Sequence, residues 1–317
     1  MHLFRHWQDC ARVHPAWAAT IGNFDGMHRG HQAVLAALRE QARARGLPSL
    51  AILFEPQPLE FLRPEAAPAR LTSISAKLRR LREFGLEGAL CVRFNAAFAA
   101  LSARAFVERV LVRGARLKYL MIGDDFRFGH GREGDFALLQ QAGGEWGFEV
   151  QRMDTHLHDE ERISSTRVRA ALAAGDLETA TALLGRPHGI EGRVMHGDKR
   201  GRLLGFPTAN LALRVRALPM TGVFVVRAGL HGQTVRWNGV ANLGLRPTVG
   251  GRTPRLEVHL FGFDGDLYGR RLEVEFLHQL RAERRFESLE ALRQQIEADA
   301  AAARRWLRQQ AGARPVS

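Results

Sequence analysis

TIGNFDGMHRGH, residues 20–31, closes a short apolar run and opens a helical segment. Three glycines (Gly22, Gly26, Gly30), one acid (Asp25) and two histidines (His28, His31) fall inside it. Glycine lets the backbone turn tightly and approach a ligand, and the free N–H groups at a helix N-terminus attract an anion. His28 and His31 would face that same anion. Their N–H groups, on neutral or protonated rings, stabilise charge growing on a phosphate. Two other readings stay open. One is a zinc pair at i, i+3, for which no third ligand is evident; the other is two capping or surface histidines.

The run before the motif, WAATIG, is the first of five. LAILFE, ALCVRF, YLMIGD and FEVQRM follow, separated by amphipathic stretches such as HQAVLAALREQARA, with Val34, Leu35, Leu38 and Ala42 on one face. Alternation of strand and helix at this spacing predicts a parallel sheet covered on both faces, with ligands beyond the carboxyl ends of its strands. From Gly189 the pattern changes. VFVVRAG, TVRWNGVAN, LEVHLFG and LEVEFLH alternate with a period near two between glycine-rich turns, which predicts an antiparallel sheet or small barrel. A last helix over 288–310 sets Leu289, Leu292, Ile296 and Leu307 on one stripe. The boundary is expected near LLGRPHG, residues 183–189, giving domains 1–186 and 187–317.

With 317 residues and 45% hydrophobic content the chain is long enough for two cores. No apolar run reaches the ~18 residues of a membrane span, and the N-terminus has no signal-peptide pattern. Cys10 and Cys91 form no cluster and read as free thiols of a reducing cytoplasm. The net charge of +13 raises the question of nucleic acid, but only Lys77, Lys118 and Lys199 are lysines and the arginines are scattered among alanines. No dedicated nucleic-acid face is predicted. The charge remains compatible with phosphorylated small ligands.

Other stretches carry chemistry. RISSTRVRAAL, 162–172, puts Ser164, Ser165 and Thr166 just ahead of a helix and Arg167 and Arg169 within it, as helix caps or as a second phosphate clamp. IGDDFRFGHGREGD, 122–135, offers Asp124, Asp125, Phe126 and Phe128 after a strand, which suits a planar ring ligand or a buried aromatic pair. GRVMHGDKRGRLLGFPTANL, 192–211, lacks a Walker pattern, yet its glycines, Lys199 and Arg200 can wrap phosphates. Thr208 and Asn210 are neutral oxygens two residues apart, suited to Mg²⁺ beside ATP phosphates. In RLEVHLFGFDGDLYG, Glu257 and His259 share one face of a strand and Leu256, Val258 and Leu260 the other. Glu257 can take a proton from an attacking hydroxyl, with His259 as rival base.

G-N-F-D-G-x-H-x-G-H, FEPQP (54–58), G-D-D-F-R-F-G and I-S-S-T-R-V-R resemble, in order, the bacterial bifunctional riboflavin kinase/FAD synthetase family. G-R-V-x-H-G-D-K-R-G-R-x-x-G-F-P-T-A-N, G-V-A-N-x-G-x-R-P-T and L-E-V-H-L extend the resemblance to its kinase domain. The resemblance implies a Rossmann-like nucleotidyltransferase domain that makes FAD from FMN and ATP, followed by a six-stranded antiparallel barrel with a C-terminal helix that phosphorylates riboflavin. It implies that Gly22, Phe24, Asp25, Gly26, His28 and His31 surround ATP, and that Ser164, Ser165, Thr166 and Arg169 hold the outgoing pyrophosphate. Pro56, Pro58, Asp125, Phe126 and Phe128 would lie near the flavin. In the kinase, Gly192, Val194, His196, Gly197, Lys199, Gly201 and Gly205 would line ATP, with Thr208 and Asn210 on Mg²⁺ and Glu257 as base. Arg281, Glu283 and Phe286 would close over the flavin. The family commonly has His between the two prolines where this chain has Gln57, and Tyr where it has Phe224 in the expected barrel core. Substrates are then ATP, riboflavin and FMN, with homo-oligomers or transient contact with apo-flavoproteins left open.

Overall fold

A strand covered on both faces is apolar at nearly every position, and the first four runs of the first half have that pattern. The computed structural model describes residues 1–153, 157–158, 161–197, 205–213, 215–248 and 251–312. Strands β1 (His2–Phe4), β2 (Trp17–Ile21), β3 (Ser49–Glu55), β4 (Gly88–Arg93), β5 (Leu117–Gly123) and β6 (Glu149–Met153) stand in the order β1-β4-β3-β2-β5-β6, all parallel. From β2 the chain moves outward through β3 and β4, then returns to set β5 on the other side of β2. Strand order reverses there, and open α/β sheets take their ligands in the crevice beyond such a reversal. The residue 20–31 motif leaves β2 and the GDDFRFG loop leaves β5, so both begin at that crevice. Beyond β6, the short strands β7 (Leu157–His158) and β8 (Glu161–Arg162) pair antiparallel.

The core explains why β2 holds the centre. Trp17, Ala19 and Ile21 face a cluster that includes Leu120, Ile122, Phe106 and Leu139, whereas Ala18 joins Leu38, Ala42, Tyr119 and Met121 on the opposite face. Helix Arg29–Ala44 supplies the second cover by burying Leu35, Leu38 and Ala42, as its stripe predicts. Strand β1 is not an expected element; its three residues carry too little pattern to stand out and are held by pairing with β4.

Contacts separate a first unit, Met1–Pro68 with Ile74–Ser164, from a second, Ala69–Ser73 with Ser165–Ser317. This division falls earlier than the change of pattern at 183–189. Helices Ser165–Ala173 and Leu177–Leu184 go with the second unit, the latter lying against a barrel strand. Strands β9 (Gly189–Met195), β10 (Ala209–Ala212), β11 (Gly222–Leu230), β12 (Trp237–Thr248), β13 (Gly251–Leu260) and β14 (Arg271–Arg281) close a barrel in the order β10-β13-β12-β11-β14-β9. Neighbouring strands are antiparallel throughout. Closure removes the free edges that an open antiparallel sheet would expose. Phe224 is fully buried in this core, edge-on to Phe276 at 5.2 Å.

Helix Leu289–Gly312 packs on β11, β12 and β14, which explains why β11 is buried on both faces. Its buried positions are Asp299, Ala300 and Ala303, with Leu292, Ile296, Trp306 and Leu307 half-buried. Leu289, expected on that stripe, is 65% exposed because it starts the helix before the helix reaches the barrel. Asp299 ties the helix down: Arg281 donates to its carboxylate from Nε at 3.0 Å and from Nη2 at 2.7 Å. Asp299→Ala is expected to cost the barrel about 3 kcal/mol, the lower end for a buried pair because Arg281 keeps some solvent. A fall in the urea midpoint, measured while riboflavin phosphorylation is followed, checks this.

Candidate active sites

The turn between β2 and its helix is unusually constrained. Phe24 and Met27 hold left-handed backbone, φ 47° and 48°, alongside Gly26 at φ 80°. That conformation costs a non-glycine residue of order 1–3 kcal/mol and persists only where packing dictates it. Both side chains are buried in a cluster with Leu35, Leu53 and Leu81. Gly22 and Gly30 serve instead by their smallness: a Cβ on Gly22 would press on the Phe24 ring at 3.3 Å, and one on Gly30 would press on the His28 ring at 3.2 Å.

His28 is the N-cap of helix Arg29–Ala44, and its Nδ1 accepts the His31 N–H at 3.3 Å. The neutral His28 ring therefore carries its proton on Nε2. The two imidazoles stack at 3.6 Å with 19° between planes, and Phe24 lies 5.3 Å from His31. His31 Nδ1 is buried without a hydrogen-bond partner. Burial first, then the fields of His28, Lys77 and Arg162, hold the His31 pKa well below its usual value. His31 is thus a neutral ring at neutral pH. Asp25 is buried beside the turn.

Lys77 has no role in the sequence motifs, yet it is fully buried in helix Ile74–Glu83. The signal was available: Ile74, Leu78 and Leu81 form an apolar stripe, and Lys77 occupies its i+3 position. Around the other loops, Pro56 follows a cis peptide and Pro58 opens helix Pro58–Leu62. Between them Gln57 is 7% exposed; Glu60 accepts its backbone N–H at 2.9 Å, while its side-chain Nε2 is buried with no partner. Phe126 and Phe128 stack at 5.5 Å, but Phe128 belongs to the core beside Phe106. Asp125 and Asp124 pair with Arg162 at 2.9 and 3.4 Å. In the second unit, Ser165 and Thr166 begin helix Ser165–Ala173, and Arg169 donates to the Ala69 carbonyl at 2.6 Å. Ser164, half-buried, closes the first unit.

In the barrel, β10 and β13 pair so that Asn210 stands opposite Glu257. A Cβ on Gly197 would collide with the Asn210 amide, so a larger residue would displace that amide. Arg255 donates from Nε and Nη2 to Asn210 Oδ1 at 2.9 and 2.5 Å, and its Nε lies 2.8 Å from Glu257 Oε1. His259 Nδ1–H donates to the Pro207 carbonyl oxygen at 2.9 Å, which fixes the orientation of the rival base's ring. A cavity of about 420 Å³ lies between Val194, Pro207, Thr208 and the 263–268 turn. His196 packs on Tyr268 at 4.0 Å. That turn stands out in the sequence only for the alternation that leads into it; its glycines and acids carry no stronger signal. Gly192 adjoins Leu211 and Ala212 across the strand pair, and Gly205 precedes Thr208 at φ 82°. Lys199 and Gly201 lie outside the described residues.

Partial burial raises the Glu283 carboxyl above its usual range, while hydrogen bonds with Asn242 and the Leu245 N–H oppose the shift. Arg281 and Arg284 lie over the Phe286 ring at 5.7 and 4.9 Å. Glu191, His231 and Glu273 also gather on the barrel wall. Their carboxylates already bind Ser73, Arg271, His231 and Arg236, which makes the group a hydrogen-bonded and ion-paired network.

Residues 11–167 match the family model described as FAD synthetase, and residues 184–307 that described as riboflavin kinase. Two such domains in one chain define an enzyme that transfers two different parts of a nucleotide to flavins. The chain belongs to the bifunctional riboflavin kinase/FMN adenylyltransferase family. It is 52% identical over 305 residues to that enzyme of Pseudomonas fluorescens, covering 96% of this chain and 97% of the relative. It is 45% identical over 299 residues to that of Haemophilus influenzae, covering 94% and 97%. A solved Streptococcus pneumoniae structure described as a macrolide-efflux protein is similar in fold, with TM-score 0.79 and 30% identity over 96% of this chain and 98% of that one. Among the described residues no helix is long and apolar enough to cross a membrane.

The low His31 pKa has a consequence for stability. An unfolded histidine binds its proton near pH 6.5, whereas the folded ring does so only at lower pH. The stability held by the neutral ring is complete above about pH 6.5 and is lost as pH falls below it. Melting temperatures between pH 7.5 and 5.5 should drop more steeply for the parent than for His31→Gln.

Proposed function

We propose that FMN is adenylylated at the His28/His31 turn and riboflavin is phosphorylated where β10 meets β13. The observation that carries the first assignment is the stacked imidazole pair, its His31 ring held neutral, at a helix N-terminus beside the strand-order reversal. A helix mouth attracts phosphates, and donors fixed before reaction stabilise charge as it grows. An FMN phosphate oxygen attacks the α-phosphorus of ATP and pyrophosphate leaves; no covalent enzyme intermediate is needed. His28 and His31 supply donors, Gly22 and Gly26 admit the phosphates, and Phe24 and Asp25 hold the turn's shape. Ser164, Ser165, Thr166 and Arg169 are assigned to the departing pyrophosphate on the motif alone. On the flavin side we assign Pro56, Pro58, Asp125 and Phe126, with Phe128 backing Phe126 from the core.

For the kinase, the residues fit a hard divalent cation. Thr208 and Asn210 offer neutral oxygens, Gly197 makes room for the Asn210 amide, and the oxygens of Asn210 and Glu257 already hold one positive group, the Arg255 guanidinium. Mg²⁺, when bound with ATP, would neutralise charge on the transferring phosphate. Thr208 and Asn210 would hold it, and the 420 Å³ cavity against Val194 and the 263–268 turn would take the nucleotide. Glu257 accepts the proton of the ribityl 5′-hydroxyl as that oxygen attacks the γ-phosphorus and ADP leaves. Arg281, Glu283 and Phe286 border the flavin. The functional boundary proposed remains 186/187. The buried free thiols Cys10 and Cys91 fit a reducing cytoplasm.

Two variants separate the sites. Glu257→Gln is expected to abolish FMN formation while FMN supplied directly is still adenylylated; loss of both would contradict independent sites. His31→Ala should lower FAD formation by about 10²–10³ and let FMN accumulate. Chromatography of the flavins reads both, and undiminished FAD output would remove His31 from the mechanism.

A further inference from the structure

Arg255, Glu257 and His259 alternate along β13 with Leu256, Val258 and Leu260, which are buried in the barrel. The Arg255 guanidinium therefore lies on the face that carries Glu257. It reaches across to β10, with two nitrogens on Asn210 Oδ1 at 2.9 and 2.5 Å and Nε 2.8 Å from Glu257 Oε1. Its side chain is 23% exposed and that of Glu257 32%, so the contact is partly shielded from water. One cation thus holds together the two residues to which the proposed kinase mechanism gives metal ligation and proton acceptance, and the role of Arg255 rests on that mechanism. An amide oxygen occupied by two guanidinium N–H groups cannot also sit about 2.1 Å from Mg²⁺. Arg255 thus covers the Asn210 oxygen that would face a metal.

We propose that Arg255 is an exchangeable internal counter-ion of the kinase site. It occupies Asn210 and Glu257 in the free protein and yields Asn210 when a metal–nucleotide complex arrives. A bare divalent cation would push the guanidinium away by like charge and offer it nothing in return. A nucleoside polyphosphate brings the anionic oxygens to which a guanidinium pairs well. Metal and nucleotide are thereby made to bind as a unit, and a free divalent ion is refused. Simple cross-linking of β10 to β13 would stabilise the barrel equally but would set no preference between bare and complexed metal.

Electron paramagnetic resonance of Mn²⁺ tests this on the full chain, with and without ADP, in the parent, Arg255→Gln and Asn210→Ala. The barrel site is the class of bound Mn²⁺ that Asn210→Ala removes. Arg255→Gln should take up bare Mn²⁺ at that site about tenfold more tightly than the parent, a coupling of ordinary size between two ligands. The enhancement of Mn²⁺ binding by ADP should shrink by the same factor. Unchanged bare-Mn²⁺ affinity in Arg255→Gln, with the site still lost in Asn210→Ala, overturns the role of Arg255 and leaves the metal assignment standing. Mn²⁺ binding that Asn210→Ala does not touch overturns the metal assignment and this inference with it. Arg255→Lys, whose ammonium cannot span both oxygens, serves if Arg255→Gln does not fold, and should shift the affinity in the same direction by a smaller factor. FMN adenylylation by the same preparations reports that the first half is intact.

Discussion

The proposed adenylyltransferase site depends on a strained turn held by buried side chains. Two non-glycine residues, Phe24 and Met27, take left-handed backbone within four positions, and each has its side chain in the core beneath helix Arg29–Ala44. Hydrophobic burial of two such side chains, about 1.5–3 kcal/mol each, is enough to offset strain of the order expected there. The result is a chain that leaves β2, reverses, and delivers His28 at the N-cap with His31 one turn on. Without that turn the two rings would not stack, and His31 would not be enclosed deeply enough to stay neutral. Strain at the site is linked to packing in the core, and packing to the charge state of a ring.

The barrel solves a related problem with pairing rather than strain. Register opposes Asn210 to Glu257 on adjacent strands, so a neutral oxygen and a carboxylate project from rigid backbone. Left alone they would form an anionic spot open to any cation. Arg255 fills it from within the same strand as Glu257, two residues away. The first half keeps a base uncharged by burying it; the second keeps an acid paired by supplying a charge. Both arrangements would hold the proposed reactive groups in place before reaction, as preorganised electrostatics requires.

Much of this was legible in the sequence where the physical signal is local. Strands β2 to β5 are apolar runs because both faces are covered, whereas edge strand β6 is largely exposed, and alternation along β13 placed Glu257 opposite the core. GIEGRVM and ANLA were harder. Glycine and charge make them read as loop, and they are strands only because barrel closure pairs them with β14, β13 and each other. At the proposed sites, glycine and histidine at a strand end marked the first, and Thr208, Asn210 and Glu257 the second. The left-handed turn fell on Phe24 and Met27 as well as on glycine, since tertiary packing overrode local preference. Lys77 and Arg255 do not stand out in the sequence although their spacing, i+3 in an apolar stripe and two residues before Glu257, is visible there. What each touches depends on neighbours distant in sequence, and no local pattern records them.

The central claim is that one chain transfers two different phosphorus atoms of ATP at two separate sites. The most direct measurement supplies riboflavin as the only flavin with ATP labelled in turn at the α- and the γ-phosphorus, and separates the products over time. γ-Label should enter FMN from the earliest times, FMN should carry no α-label, and FAD should carry both labels in equal amounts. FMN bearing α-label, or FAD lacking γ-label, would contradict the central claim.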